Sequence, residues 1–353
     1  MTPDARRKNI LLICGTLNQT KAMLEIGAQL ADHNCYYTPF YCDGRLLRAS
    51  QRGQLDFTVV AGPLRERSLK HMRQAGVPID DRGEAREYDL VVTCTDLIIQ
   101  QNIQDKRIVL VQEGLTEPEG LLYLMVRYLG IPRVFANTAA FGLSDAYEAF
   151  CVASDGARDL FLQKGVRDEK VVVTGIPNFD NAATYRENDF PHRDFVLVCT
   201  SNARETFKRD NRRRFLRQAV AIARGRPIIF KLHPAERHDR ATREIRAIVR
   251  DATILTEGNT EHMIANAAVV VAQYSTVAFT AAALGKEVHS YIDPEMLRRI
   301  LPIQNGGTSA RNIAEVCRVC LDSTPAQVQR VRSRVECRPM PPFPVANVHF
   351  MSH

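Results

Sequence analysis

Short, nearly continuous apolar runs alternate with amphipathic stretches of helix length along most of the chain. Asn9-Ile-Leu-Leu-Ile-Cys14 opens the series, followed by the turn Gly15-Thr-Leu-Asn-Gln-Thr20 and a helix predicted over 21–32. Further strands are predicted at 36–41, 57–60, 90–93, 107–111, 149–152 and 170–174, with helices between most of them, as at 121–129 and 156–164. A polar break rich in Asn, Asp and Pro then runs from Ile176 to Arg193. The alternation restarts with a strand at 195–199, a basic helix at 208–224 and a strand at 227–230. A helix at 240–250, a strand at 253–255, a helix at 261–267 and a strand at 268–272 follow. An Ala-rich helix ends at Leu284 with Gly285 as its C-cap, before a final strand at 288–292. Strands that are apolar on both faces and separated by helices belong to parallel sheets covered on both sides.

The pattern therefore predicts an α/β chain of two doubly wound domains facing a central cleft, with the ligand in that cleft. The expected boundaries are 1–185 and 186–335, with a Pro-rich tail at 336–353. Arg338-Pro-Met-Pro-Pro-Phe-Pro344 can form neither helix nor central strand and is expected to drape over the surface. A length of 353 residues agrees with two domains, since one hydrophobic core stops growing near ~250–300 residues.

Composition narrows the class. Apolar residues make up 45% of the chain and charged residues 25%, as in ordinary globular proteins. No run approaches the ~18–20 apolar residues of a membrane span, and the five-residue run after the charged N-terminus reads as a strand. Nine cysteines show no disulfide-like framework, and Cys14, Cys94 and Cys199 fall in expected buried strands, which points to a reducing, cytoplasmic setting. Cys317 and Cys320 form a lone CxxC on a helix without the further ligands that zinc needs. The net charge of +7 is concentrated in Arg204–Arg226, a face suited to an anion or an anionic membrane surface. Aromatic residues are sparse there and Trp is absent from the chain, so no base-stacking platform for nucleic acid is expected.

Candidate chemistry gathers where strands end, because ligands of open parallel sheets bind outside the carboxyl ends of the strands. In the second half, Thr200, Ser201 and Arg204 follow one strand, Lys231, His233 and Pro234 follow the next, and Ser275 and Thr276 follow the strand at 268–272. Hydroxyls at helix starts with Lys, His and Arg beside them suit a phosphate or diphosphate. Each hydroxyl is equally able to serve as a helix N-cap. The glycine-rich dinucleotide and P-loop fingerprints are missing. In the first half, Glu113 after the strand at 107–111 is placed for general-base work, and Asp96 is a second carboxylate at a neighbouring strand end. Gly15, Asn18 and Gln19 form an acceptor-side turn that can meet a ligand backbone-first, bind sugar hydroxyls or cap the following helix.

Gly175-Ile-Pro-Asn-Phe-Asp180, Lys231-Leu-His-Pro234 and Tyr274-Ser-Thr-Val-Ala-Phe-Thr-Ala-Ala-Ala-Leu-Gly-Lys286, taken in order and spacing, resemble the GT-B glycosyltransferase superfamily of paired Rossmann-like domains. That group includes UDP-N-acetylglucosamine 2-epimerases, CDP-glycerol glycerophosphotransferases and the Kdo and polysialyl transferases of bacterial surface polysaccharides. Against the epimerase pattern, Glu113 is kept. However, 136–142 lacks the expected carboxylates and Arg, Thr200–Arg204 lacks a His, and Phe279 or Thr280 stands where a ribose-binding Glu is expected. The cytidine-nucleotide transferases fit better, although Gln112 replaces one acid of their acidic-Gly element.

The resemblance implies a metal-independent transferase that moves a sugar from a nucleotide-activated donor, with CMP-linked Kdo or sialic acid as the model, to a glycan or lipid-linked glycan acceptor. In that reading Glu113 is the base with Asp96 in reserve. His233, Lys231, Ser275 and Thr276 hold the donor phosphate, and no cofactor is needed. The cytoplasm, with a peripheral contact to anionic membrane, is the expected location. A nucleotide-sugar 2-epimerase or hydrolase is the alternative enzyme, and a non-catalytic nucleotide-sugar or polyanion binder the alternative of another class.

Overall fold

The computed structural model describes residues 7–56, 58–206, 209–322 and 347–352. The first half contains β1 (Asn9–Cys14), α1 (Leu17–Ala28), β2 (Asn34–Pro39), α2 (Gly44–Gln51), α3 (Gly62–Gln74), β3 (Leu90–Thr93) and β4 (Arg107–Val111). It continues with α4 (Leu121–Leu129), β5 (Ala149–Val152), α5 (Asp155–Lys164) and β6 (Val171–Val173). The second half comprises β7 (Val196–Cys199), α6 (Arg212–Ala223), β8 (Ile228–Lys231), α7 (His238–Arg246), β9 (Thr253–Leu255), α8 (Thr260–Asn266) and β10 (Val269–Ala272). It ends with α9 (Val277–Ala283), β11 (Glu287–Ser290), α10 (Pro294–Ile300), α11 (Ser309–Asp322) and β12 (Val348–Phe350). No described helix is long and apolar enough to cross a membrane.

Two six-stranded sheets result, each wholly parallel, in the orders β2-β1-β3-β4-β5-β6 and β12-β11-β10-β7-β8-β9. They belong to two compact units. In the first unit the alternation along β1 sends Ile10, Leu12 and Cys14 to one core and Leu11 and Ile13 to the other. That is the two-sided burial of a doubly wound sheet. In the second, Val196 and Val198 of β7 and Val269 and Val271 of β10 pack with Phe215, Leu216 and Ala219 of α6.

The domain boundaries differ from those expected. The first unit takes in residues up to Asp180 together with 305–322, whereas the second comprises 181–304 with 347–352. Chain order alone places helix α11 with the second domain, but its Ile313, Val316, Cys317 and Cys320 are wholly buried in the first unit's core with Met23, Ile26 and Val109. Burying each large apolar side chain contributes about 1.5–3 kcal/mol, so this face holds α11 firmly to the first sheet. The two cysteines of the CxxC are thus core residues, and burial pushes the Cys320 thiol up to about 12. Among the described part of the predicted strand at 57–60, the backbone forms bends and turns, with Val59 and Val60 leaning on the core. The strand expected at 288–292 is not the last: β12 pairs in parallel with β11. Phe57 and the Pro-rich stretch 338–344 lie outside the described residues.

Candidate functional site

Doubly wound sheets open a crevice where the strand order reverses direction. In the first sheet this occurs between β1 and β3, and in the second between β7 and β10.

At the first of these edges Gly15 and Thr16 leave β1 and start α1. Thr16 is the N-cap, accepting from the Gln19 N–H at 3.2 Å, and Gln19 Oε1 accepts from the Thr16 N–H at 3.1 Å. This capping box satisfies orphan donors of the helix start. It also reaches beyond the helix. Thr16 Oγ1 donates to Glu113 Oε1 at 2.7 Å and Gln19 Nε2 donates to Glu113 Oε2 at 2.5 Å. A Cβ on Gly15 would meet Gln19 Oε1 at 1.8 Å, so glycine is required for this amide to lie across the turn. Burial raises the Glu113 pKa above its ordinary value, and the Thr16 and Gln19 bonds counteract that only in part. Gln19 therefore serves as cap and as carboxylate holder, whereas Asn18 is exposed and supplies its carbonyl to Asn178 Nδ2 at 3.1 Å.

The reserve base and the lost second acid are both structural. Asp96 is 1% exposed, and its two oxygens accept from the Gly142 and Ser144 N–H groups at 2.9 Å each. It pins the 142–144 loop and is not open to an acceptor, which corrects its expected role. Gln112 is buried, accepting from the Ala153 N–H at 2.9 Å and donating to the Gly114 carbonyl at 2.9 Å. A carboxylate there would have no donor hydrogen for Gly114, which accounts for the amide at this position.

In the second sheet the ends of β10, β7 and β8 lie side by side. Lys231 is buried, and its ammonium donates to the Leu232 and Thr256 carbonyls at 3.0 Å each. Desolvation lowers its pKa. It ties β8 to the loop after β9 and does not project to a ligand, contrary to expectation. His233 is the residue that faces outward in part. Its Nδ1 accepts from the Ala235 N–H at 3.1 Å, and Pro234 between them rigidifies that turn. Burial, aided by the charge of Lys231, lowers its pKa to about 4. The ring is neutral near pH 7, with the proton on Nε2 because Nδ1 is an acceptor. His233 is thus a neutral hydrogen-bond donor at this edge.

Thr200 Oγ1 accepts from the His233 N–H at 3.1 Å and donates to Glu236 Oε2 at 2.5 Å. Ser201 donates its hydroxyl to Gln273 Oε1. Ser275 Oγ accepts from the Val277 N–H at 3.3 Å, which leaves its hydroxyl hydrogen available. Thr276 occupies the N-cap of α9 without a side-chain cap bond.

The charge network beneath this edge escaped sequence reasoning. Arg212 is 4% exposed and binds Asp210 at 3.0 Å, Glu236 at 2.8 Å and the Ser201 carbonyl at 2.9 Å. Arg204 forms a bidentate pair with Glu244 at 2.7 and 2.8 Å and lies 3.4 Å from Asp210. It is thus part of the support and is not a spare cation for a donor. Gln273 completes the frame by donating to Asp210 Oδ1 at 2.7 Å. Elsewhere on the basic helix, Arg213, Arg214 and Arg217 are exposed.

Two further features adjoin the first unit's edge. Helix α4, in the segment that follows Glu113, turns Tyr123 and Val126 inward against Ala136, Ala139 and Ala140. Its other face carries Leu121, Leu122, Leu124, Tyr128 and Leu129, with Leu121 74% exposed and Leu129 70%. Val134 and Phe135 extend this surface. A cavity of about 590 Å³ opens beyond the end of β2, lined by Tyr41, Cys42, Gly62, Arg65, Arg82 and Glu84 among others.

No protein-family model and no curated protein matches the chain. Solved structures match it over nearly its full length. The wall teichoic acid polymerase TagF, soaked with CDPG, superposes with a TM-score of 0.54 at 10% identity, covering 90% of this chain and 89% of its own. UDP-GlcNAc 2-epimerase from Neisseria meningitidis, bound to UDP-GlcNAc, gives 0.53 at 11% identity, covering 93% and 98%. MnaA of S. aureus, in a structure with UDP, gives 0.51 at 12% identity, covering 94% and 92%. The fold is of the GT-B type: two Rossmann-like α/β units, each built on a six-stranded parallel sheet. At such identities the likeness carries the fold alone.

Proposed function

We propose that this chain is a metal-independent glycosyltransferase that moves a sugar from a nucleotide-activated donor to a bacterial surface-glycan acceptor. The observation that carries the reading is Glu113. It is a carboxylate just beyond β4, oriented by Thr16 and Gln19 of the switch-point turn after β1, with its pKa raised by burial. A general base works best when its pKa is drawn toward the operating pH, and the capping box fixes its aim. Glu113 takes the acceptor hydroxyl proton as that oxygen attacks the anomeric carbon. The bond from that carbon to the donor phosphate breaks, and the electron pair leaves on the phosphate.

The donor binds the second unit. There the neutral His233 Nε2–H and the hydroxyls of Ser275 and Thr276 bond the phosphate. Lys231 contributes from behind as a buried charge, and Thr200, Ser201, Pro234 and Arg204 hold the frame. Preorganised donors aimed at developing negative charge lower the barrier without a metal ion. Structures similar to this chain contain UDP, UDP-GlcNAc or CDPG, in keeping with a nucleotide-linked donor. The finer proposal is a cytidine nucleotide, with CMP-linked Kdo or sialic acid as the type.

The acceptor is proposed to be lipid-linked. A helix with an apolar face outside as well as inside suits the membrane interface, with Arg127 and Arg133 beside it for anionic headgroups. The peripheral membrane contact expected of the basic helix is therefore assigned to α4.

The test is nucleotide release from CMP-, CDP-, UDP- and GDP-activated donors, with and without lipid-linked envelope glycans. Release that requires acceptor is the expected result. Acceptor-independent turnover would replace the reading with an epimerase or hydrolase, and binding without turnover with a non-catalytic binder.

A further inference from the structure

Strands β11 and β12 form the outer edge of the second sheet, and β12 contributes just three paired residues. In parallel register His289 stands opposite His349, and Glu287 lies two residues before His289, on the same face of β11. The two imidazoles are stacked, with centroids 4.6 Å apart and planes 19° from parallel. His289 Nε2 is 2.8 Å from Glu287 Oε1. One ligand atom from each of the three residues lies within 4.8 Å of the other two.

We propose that Glu287, His289 and His349 form a divalent transition-metal site, of the zinc type, that clamps β12 to β11. Two imidazoles and a carboxylate are a ligand set suited to zinc, with water completing a four-coordinate shell. Ligand atoms around a tetrahedral ion with bonds of ~2.1 Å sit roughly 3.4 Å apart, so the Glu287–His289 pair, now 2.8 Å apart, must open slightly while the widest separation, within 4.8 Å, closes. The exposed His349 side chain has the freedom to supply that movement.

A ligating imidazole binds a metal ion in its neutral form, and His289 already places one ring nitrogen beside the carboxylate. Its Nε2 proton is now directed at Glu287. On ligation the proton resides on Nδ1, and the carboxylate turns from acceptor to ligand with no net proton released. Arg224 acts electrostatically on His289, and Arg226 on Glu287. These cations oppose a dication, and the Glu287 charge offsets them. The physical benefit falls on the edge strand. Three ladder residues and the buried Val348 and Met351 are a slight anchor, and a metal bridge across the register adds a link that does not depend on the ladder.

This trio lies within strands, away from the turns proposed to bind donor, so the inference is independent of the transferase reading. The test is equilibrium dialysis of the full chain against Zn²⁺ after chelator treatment, with thermal unfolding measured in parallel. One equivalent of zinc is expected, with the unfolding temperature raised by about 2–4 °C. His289→Ala and His349→Ala should each weaken binding at least about tenfold and cancel the thermal shift. Glu287→Gln should do so to a smaller degree, while His192→Ala, an exposed control, should leave both unchanged. Zinc bound with equal affinity by the His349→Ala and parent proteins would overturn the proposal. So would no binding, or losses matched by His192→Ala. Because the His349→Ala side chain is removed from the surface, folding of that variant can be checked without zinc, where its stability should equal the parent's.

Discussion

The two switch-point edges solve the problem of polar groups at a sheet end in opposite ways. In the first unit a single carboxylate, Glu113, is held by a hydroxyl and an amide, and no cation is among the groups setting its pKa. In the second, Arg204 and Arg212 are ion-paired with Asp210, Glu236 and Glu244, and the groups left facing outward are neutral donors. An uncompensated acid is suited to proton transfer, because desolvation raises its affinity for a proton. An ion-paired frame is suited to binding, because its charges are already satisfied within the fold and it fixes outward-facing donors in place.

The sharpest way to break this contrast is to unbalance the second edge. Arg212→Ala leaves Asp210 and Glu236, whose side chains are fully buried, without their main cation. A loss of roughly 3–5 kcal/mol in denaturant stability is expected. Arg204→Ala removes a partly exposed pair with Glu244 and only longer contacts, 3.4 and 3.7 Å, to Asp210 and Glu236, which keep Arg212, so it should cost less, about 1–2 kcal/mol. Equal effects would show that the buried frame has no special standing.

At the first edge, Glu113→Gln should lower turnover by roughly 10²–10³-fold while donor affinity stays within about twofold. A variant that keeps full turnover would remove Glu113 as the base. The acid should also carry a stability cost. A carboxyl whose folded pKa is raised destabilises the fold once pH exceeds that pKa, so Glu113→Gln should melt no lower than the parent at pH 7.5.

His233 gives the next effect. Its pKa of about 4 when folded lies below the ordinary 6.5, so the unfolded chain binds the extra proton first as pH falls. Stability should therefore be intact above pH 6.5 and decline from there to pH 4, by up to roughly 3 kcal/mol from this group. His233→Gln should flatten that slope and weaken donor binding. An unchanged slope would mean that the ring is solvated and not held by the Ala235 N–H.

The smallest expected effect tests α4. Leu121→Ser with Leu129→Ser should reduce sedimentation with anionic vesicles by about tenfold, with unfolding temperature unchanged because both side chains are exposed. Undiminished vesicle binding, or none in the parent, would detach the acceptor proposal from this helix.

Much of the architecture was readable in the chain itself. Strands 90–93, 107–111, 149–152 and 253–255 fall where the apolar runs place them, because buried parallel strands need apolar residues on both faces. Glu113, Thr200, His233 and Ser275 could be located at strand ends by counting from those runs. What each polar group does there could not be read, since its partners are distant in sequence. Lys231 and His233 differ by two positions, yet one bonds carbonyls inward and the other keeps a neutral donor outward. Asp96 resembled Glu113 until the 142–144 loop was seen to occupy both its oxygens.

By itself the sequence determined most of the strands, their grouping into two sheets and the polar residues at their carboxyl ends, because hydrophobic period and turn chemistry are local. The tertiary structure alone decided that α11 crosses back to the first core, that Gln19 and Thr16 aim Glu113, and that β12 brings His349 to His289. Those are contacts between segments separated by 60 to several hundred residues, and packing and register, not local preference, select them.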